Sequence, residues 1–244
     1  MSEKGTRRRP LELLSAYLPA ALSVLLGACL YITFSVGQWR SLDVPSWDLA
    51  IFTEAAKSYS HFQAPIVPVK GPGYNLLGDH FHPILVLLGP IYRLFPSGLT
   101  LLVVQDLLIA VSAWPLVRLA TKQAGWLLAS IIGIGYVTAW GFQGAVASQF
   151  HEIAFALPML AWASAAFVEG RWVATMAWSA PLVLVKEDLG LTIMMIGLIL
   201  SWRGRDSIKS FAYPLFFAAF GVIAFVVTIK LLLPAFNASG TWAY

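Results

Sequence analysis

The chain has 244 residues, 59% of them hydrophobic and 11% charged, with a mean hydropathy of +0.75. Soluble domains run near half apolar and about a quarter charged, so this composition excludes a water-soluble globule, a disordered chain and a disulfide framework, argues against nucleic acid as a partner, and leaves an integral membrane protein. The net charge of +4 fits basic loops gathered on one side of a bilayer. The single cysteine, Cys29, allows neither an intrachain disulfide nor a cysteine-ligated metal site.

About 20 apolar residues cross the hydrocarbon, and they cross as helix because unpaired backbone cannot sit in lipid. The first run, Leu11 to Val36, follows Arg7-Arg8-Arg9-Pro10. It is too long for a signal peptide and lacks the small-residue cleavage pattern, so it reads as a retained span. From Gly37 to about His82 the chain is mixed, with Pro45, Pro65, Pro68 and Pro72. Within that stretch Leu49, Ile51, Phe52, Ala55, Ala56 and Tyr59 recur at roughly helical spacing, which predicts an interfacial amphipathic helix over Trp47 to Tyr59. Pro83 to Phe95 is interrupted by Gly89-Pro90 and closed by Pro96. At about 13 residues it suits a re-entrant or interfacial helix better than a span. Six further spans are predicted at Leu99–Val117, Trp126–Phe142, Ile153–Val168, Trp172–Val185, Leu189–Trp202 and Tyr213–Leu233.

The expected fold class is therefore an all-α polytopic membrane protein with about seven transmembrane helices. One integral-membrane domain covers 1–244: a first span at 11–36, an outer loop at 37–98 holding interfacial helices, six spans within 99–233, and an outer tail at 234–244. Charge supports that count. With the amino terminus cytoplasmic and Pro83–Phe95 not crossing, the cytoplasmic segments hold Lys4, Arg7, Arg8, Arg9, Arg118, Lys122, Arg171, Arg203, Arg205 and Lys209, ten of the sixteen basic residues. Were that run to cross, most of the later basic residues would face outward, against the positive-inside rule.

This topology gathers the chemically capable residues at the outer face. The first loop supplies Asp43, Asp48, Glu54, Asp79, His80 and His82; one turn supplies His151 and Glu152; another supplies Lys186, Glu187 and Asp188. Asp48, at the start of the amphipathic helix, reads either as a helix-start acid or as a general base at the membrane surface. In an extended segment His80 and His82 point to one side. They could ligate a divalent metal, magnesium or manganese, with His151 or Glu152 completing the site, or bind lipid phosphate together with Lys186 and Arg93. Lys186-Glu187-Asp188 reads as a self-neutralising turn or as a phosphate-binding lysine held by Glu187. Asp106 lies well inside a span, where a carboxylate is a functional candidate by default.

The ordered set Trp47-Asp48-Leu49-Ala50-Ile51-Phe52, Leu77-Gly78-Asp79-His80-Phe81-His82-Pro83, Gln149-Phe150-His151-Glu152 and Lys186-Glu187-Asp188 resembles the bacterial membrane family called domain of unknown function 2079. That family in turn resembles the GT-C glycosyltransferases, which take a sugar from a polyprenyl-phosphate carrier outside the membrane. The resemblance implies a seven-span module, a first-loop acid at Asp48, a further acid at His151-Glu152, and a donor phosphate met by Lys186, Arg93 and the histidines. It implies a multi-pass protein of the cell membrane with lipid as partner. The resembled proteins continue beyond seven spans whereas this sequence stops at Tyr244, so a short form, a fragment, or a half needing a partner subunit is expected. Two other functions stay open: a transporter whose path is lined by Asp106, His151 and Glu152, and a non-catalytic membrane scaffold.

Overall fold

The computed structural model describes residues 10–43, 45, 47–237 and 239–240, with side chains from residue 16 onward. Lys4, Arg7, Arg8 and Arg9, on which part of the expected topology rests, lie outside the described residues, as does the end of the expected tail at 241–244. The elements are α1 (Pro10–Arg40), α2 (Asp48–Ser60), α3 (Leu88–Leu94), α4 (Gly98–Val137), α5 (Trp140–Ala147), α6 (Ala156–Val168), α7 (Trp172–Ser179), α8 (Leu189–Arg203), α9 (Ile208–Val227) and α10 (Leu233–Phe236). Single 3-10 turns precede α3 and α6 and extend α7, and a π-turn joins α9 to α10. Among the described residues β pairing is limited to one isolated bridge, Ile66 with Asn75.

By length and composition, Ala16–Arg40, Gly98–Ala147 and Ile208–Phe236 can cross a membrane, while Glu152–Val168, Trp172–Leu184, Leu189–Arg203 and Pro83–Leu94 are shorter apolar helices. The second of these long stretches is not one rod. Gly125 has φ 80°, and Ser112 Oγ lies 2.8 Å from the Tyr136 hydroxyl. In a straight helix residues 24 apart would be separated by about 36 Å, so α4 doubles back at Gly125 into two antiparallel arms, 98–124 and 126–137. Val117 meets Gly133 across that hairpin. The first arm outruns the expected span, carrying Arg118 and Lys122 as helix residues where a loop was expected.

Contacts sort the helix ends into two polar layers. At one end Gln38 Nε2 donates to the Ala147 carbonyl at 2.9 Å, and Asn237 Nδ2 reaches the Gly78 carbonyl at 3.3 Å. At the other, Lys122 pairs with Glu169 and the Arg203 guanidinium lies 4.9 Å from the centre of the Phe167 ring. Between the layers, large apolar side chains such as Leu22, Leu25, Phe34, Phe216 and Ile223 remain exposed. In a chain of this composition that flank is suited to lipid rather than water.

Two cores form. One buries Ala20, Tyr31, Ile109, Ala113, Val117 and Val137 between α1 and α4. The other lies under the first loop, where Leu49, Phe52, Ala55 and Ala56 of α2 pack with Leu85, Leu88, Leu101, Phe150, Leu182 and Ile193. The helical spacing read over Trp47 to Tyr59 thus has its apolar stripe turned onto the rest of the protein. The run Pro83 to Phe95 is a five-residue 3-10 turn followed by the seven-residue α3, too short to cross.

Candidate functional site

The loop before α2, the 3-10 turn before α6 and the turn between α7 and α8 all end in the first polar layer, and their charged side chains meet there. Trp47 caps α2, so Asp48 is the first helical residue, where the helix dipole favours a carboxylate. His151 Nε2 stands 3.4 Å from Asp48 Oδ2. Lys186 Nζ lies 3.2 Å from Glu152 Oε1, and His80 Nδ1 is 2.7 Å from Glu187 Oε1. Four separate segments therefore contribute three acid–base pairs to one surface.

The pairs differ in access. The side chains of Asp48 and His151 are 41% and 38% exposed, and that of Lys186 is 29% exposed, whereas Glu152 is 6% exposed. The groups open to a reagent are thus a carboxylate, an imidazole and an ammonium, each backed by the buried protein. Glu187 works from beneath: its Oε2 accepts from the Phe81 backbone N–H at 3.0 Å while Oε1 holds His80.

Electrostatics follow this burial. The hydrogen bond to Glu187 raises His80 above the usual imidazole value of 6.5, against burial acting the other way. Burial pushes Glu187 up, but the bonds from His80 and the backbone outweigh it and hold the carboxyl below its ordinary range. Burial likewise opposes charge on Lys186, and the neighbouring Glu152 outweighs it, raising the ammonium's value. For His82 the nearby Glu152 does not outweigh burial. His82 is 1% exposed, its ring packs edge-on to Phe52 with centroids 5.9 Å apart, and burial pulls it down to about 4. A neutral, sealed imidazole is poorly suited to bind phosphate by charge.

His80 and His82 also fail as a metal pair. The first is committed to Glu187 and the second lies under Phe52. Among the described residues no group of three or more histidine, cysteine or acidic side chains is placed to hold a metal ion. The donor set expected for magnesium or manganese therefore does not fit.

The remaining candidates sit outside the paired set. Arg93 is exposed on α3, its guanidinium 6.0 Å from the centre of the Phe62 ring. Asp188 is exposed at the start of α8. Asp79 pairs with Lys70, and Glu54 accepts from the Val69 backbone at 3.1 Å; both fasten the loop to itself. Asp106 is fully buried in α4, neither carboxyl oxygen having a hydrogen-bond partner among the described residues.

Two glutamines position His151. Gln105 Nε2 donates to the Gln149 carbonyl at 2.8 Å and the Ala145 carbonyl at 3.2 Å, and its Oε1 accepts from the His151 backbone N–H at 2.8 Å. Gln149 adopts φ 69°, a left-handed conformation that is uncommon outside glycine and costs roughly 1–2 kcal/mol. Its side-chain amide donates to the Asp43 carbonyl at 3.0 Å, and its own carbonyl lies 3.2 Å from His151 Nδ1. A strained residue held from two sides aims the ring two positions on. Gln105 was readable in sequence only as an amide inside an apolar run, next to Asp106.

Residues 38–243 match the family model described as "Predicted membrane protein (DUF2079)". The chain belongs to this family. Membership and the several apolar helices together make the protein a membrane protein. No curated protein and no solved structure gives a significant match. Every paired residue of this family member, from Asp48 to Glu187, falls within the matched segment.

Proposed function

We propose that the chain is a GT-C-type glycosyltransferase that takes a sugar from a polyprenyl-phosphate carrier at the outer face of the cell membrane. The observation that carries this reading is the open Asp48–His151 pair standing on the same surface as a lysine held by a buried acid. In the reaction, Asp48 takes the proton of an acceptor hydroxyl as its oxygen bonds to the anomeric carbon. The bond from that carbon to the phosphate oxygen breaks, and the phosphate leaves on its lipid. Lys186 and the imidazolium of His80 face the charge that develops on the departing phosphate. His151, oriented through Gln149, holds the Asp48 carboxylate. His82 packs beneath the site rather than binding the donor, and Arg93, over Phe62, is left to the lipid approach.

The topology that goes with this reading is seven crossings with the amino terminus inside. In support, the segment following α9 ends against Gly78 of the first loop, as an odd number of crossings requires. A transport path through Asp106 would need that carboxyl to open to the same surface, and it is fully buried.

Asp48→Asn is the test. Asparagine begins a helix about as well as aspartate but takes no proton at neutral pH. A lost general base costs roughly a hundred- to ten-thousand-fold in rate. Transfer from a polyprenyl-phosphate-sugar by protein in detergent should fall by that factor with expression and melting unchanged. Full retention of transfer would remove Asp48 from the chemistry.

A further inference from the structure

The second polar layer carries a feature that the transfer chemistry does not use. A cleft of about 620 Å³ opens between α4 and the end of α6, and its lining includes Arg118, Lys122, Arg171, Glu169, Trp114 and Trp162. Pockets of some 300–1,000 Å³ take small ligands. Three cations against one acid leave a net charge of +2 at the mouth. Glu169 is already engaged, since it pairs with Lys122 and its Oε2 lies 2.6 Å from Arg171 Nη2. Arg118, with its guanidinium 4.5 Å from the centre of the Tyr17 ring, has no acidic partner among the described residues.

The cleft is graded along its length. Trp114, Arg118 and Lys122 follow one face of α4 a turn apart, and Trp162 on α6 is followed on the same side by Glu169 just past the helix end. Both helices thus place an aromatic wall toward the middle of the molecule and charge at its end. Arg118 lies about 20 Å along the helix from Gln105, and Lys122 about 25 Å, most of a hydrocarbon thickness from the Asp48 layer. A free phosphate would need only the charged mouth. A molecule with an anionic head joined to an apolar tail would fill both parts, and tryptophan at a membrane interface suits that junction.

We propose that this cleft is a binding site for the headgroup of an anionic phospholipid in the leaflet opposite the Asp48 surface. The Arg118 guanidinium meets the phosphate in a forked contact, Lys122 adds a point charge, and Trp114 and Trp162 flank the first carbons of the acyl chains. The site does not depend on the glycosyltransferase reading, and either stands if the other fails.

Native mass spectrometry of the full chain in detergent, with phosphatidylglycerol or phosphatidylcholine added at equal concentration, tests it. Phosphatidylglycerol should be retained over phosphatidylcholine. Arg118→Gln and Lys122→Gln should each weaken that retention about fivefold, and Arg118→Lys, which keeps the charge but loses the fork, should fall between. Arg205→Gln is the control: Arg205 lies over Trp202, outside the cleft lining, and should leave retention unchanged. Equal retention of the two lipids would overturn the site. So would an equal loss in Arg205→Gln, which would mark unspecific attraction to a basic surface. Displacement of phosphatidylglycerol by an equal concentration of inorganic phosphate would assign the cleft to a free anion instead. Should a glutamine variant fail to fold, Arg118→Lys and Trp162→Ala carry the test, each expected to weaken retention of phosphatidylglycerol and each overturning the site if retention is unaltered.

Discussion

Glu187 is nine-tenths buried yet holds its charge because His80 and the Phe81 N–H both bond to it. The pair sets a pH window. His80 is raised, so its contribution to stability is fully present below about 6.5 and is lost as pH climbs through its folded value. Glu187 is lowered, so its contribution is present above about 4.5 and is lost as pH falls through its folded value. Between those limits Glu187→Gln should cost about 1.5–3 kcal/mol, the range for hydrogen bonds to charged groups. Thermal unfolding in detergent should show the difference between wild type and variant shrinking as pH rises past the folded value of His80. A difference constant from pH 6 to pH 9 would mean that His80 does not charge there. Gln105→Leu is a second residue-scale prediction. It leaves the His151 N–H without its partner, at about 1–3 kcal/mol for a buried group left unpaired. Transfer activity should fall with it, because His151 loses its orientation.

At the scale of elements, α8 and α9 pack closely because small residues line the seam. A Cβ at Gly190 would come 2.7 Å from the Gly221 carbonyl oxygen, one at Gly197 would come 2.5 Å from the Ala218 nitrogen, and one at Gly204 would come 2.3 Å from the Ser210 carbonyl oxygen. Those three glycines recur every seven residues, so Gly190 and Gly197 share one face of α8 and Gly204, just past its end, continues that face. Close approach of small residues is a main source of helix association in lipid, where apolar burial between helices supplies no driving force. Gly197→Leu should therefore separate the pair and lower stability toward the upper end of about 1–3 kcal/mol. Gly135→Leu is the matched control, since a Cβ there meets nothing within 4 Å. Equal melting of the two variants in detergent would show that the glycine seam is not what joins these helices.

For the molecule as a whole, the expected outcome is that residues 70 and 123 lie on opposite sides of the membrane. Both are exposed, one in the loop beside the Asp48 surface and one at the basic end of the first α4 arm. In a Cys29→Ala background, needed because Cys29 is itself exposed, Lys70→Cys should be labelled from outside by an impermeant reagent. Gln123→Cys should be labelled only after the membrane is opened. Labelling of both from one side would remove the topology and the outer-face site with it.

What the sequence determined by itself was set by local length and composition. Membrane character followed from apolar content, and the helical segments followed from runs long enough to matter, punctuated by proline, glycine and charge. The gathering of Asp48, His151, Glu152, Lys186 and Glu187 toward one layer was legible because helix ends alternate between two faces. Only the tertiary structure decided which acid met which base. Asp48 with His151 and His80 with Glu187 are each more than 100 residues apart, and no local pattern fixes the rotation of one helix against another. The same holds for His82, which is buried and pulled down in pKa while its neighbour two positions away is partly open and raised. That difference arises from Phe52 and the loop packed over it, and burial is a property of the folded chain. Gly125 and Gln149 mark the same boundary. A left-handed residue at each turns the backbone where the sequence shows an ordinary glycine and an ordinary amide, and the bonds that hold the turn at Gln149 come from Gln105 and Asp43, distant in the chain.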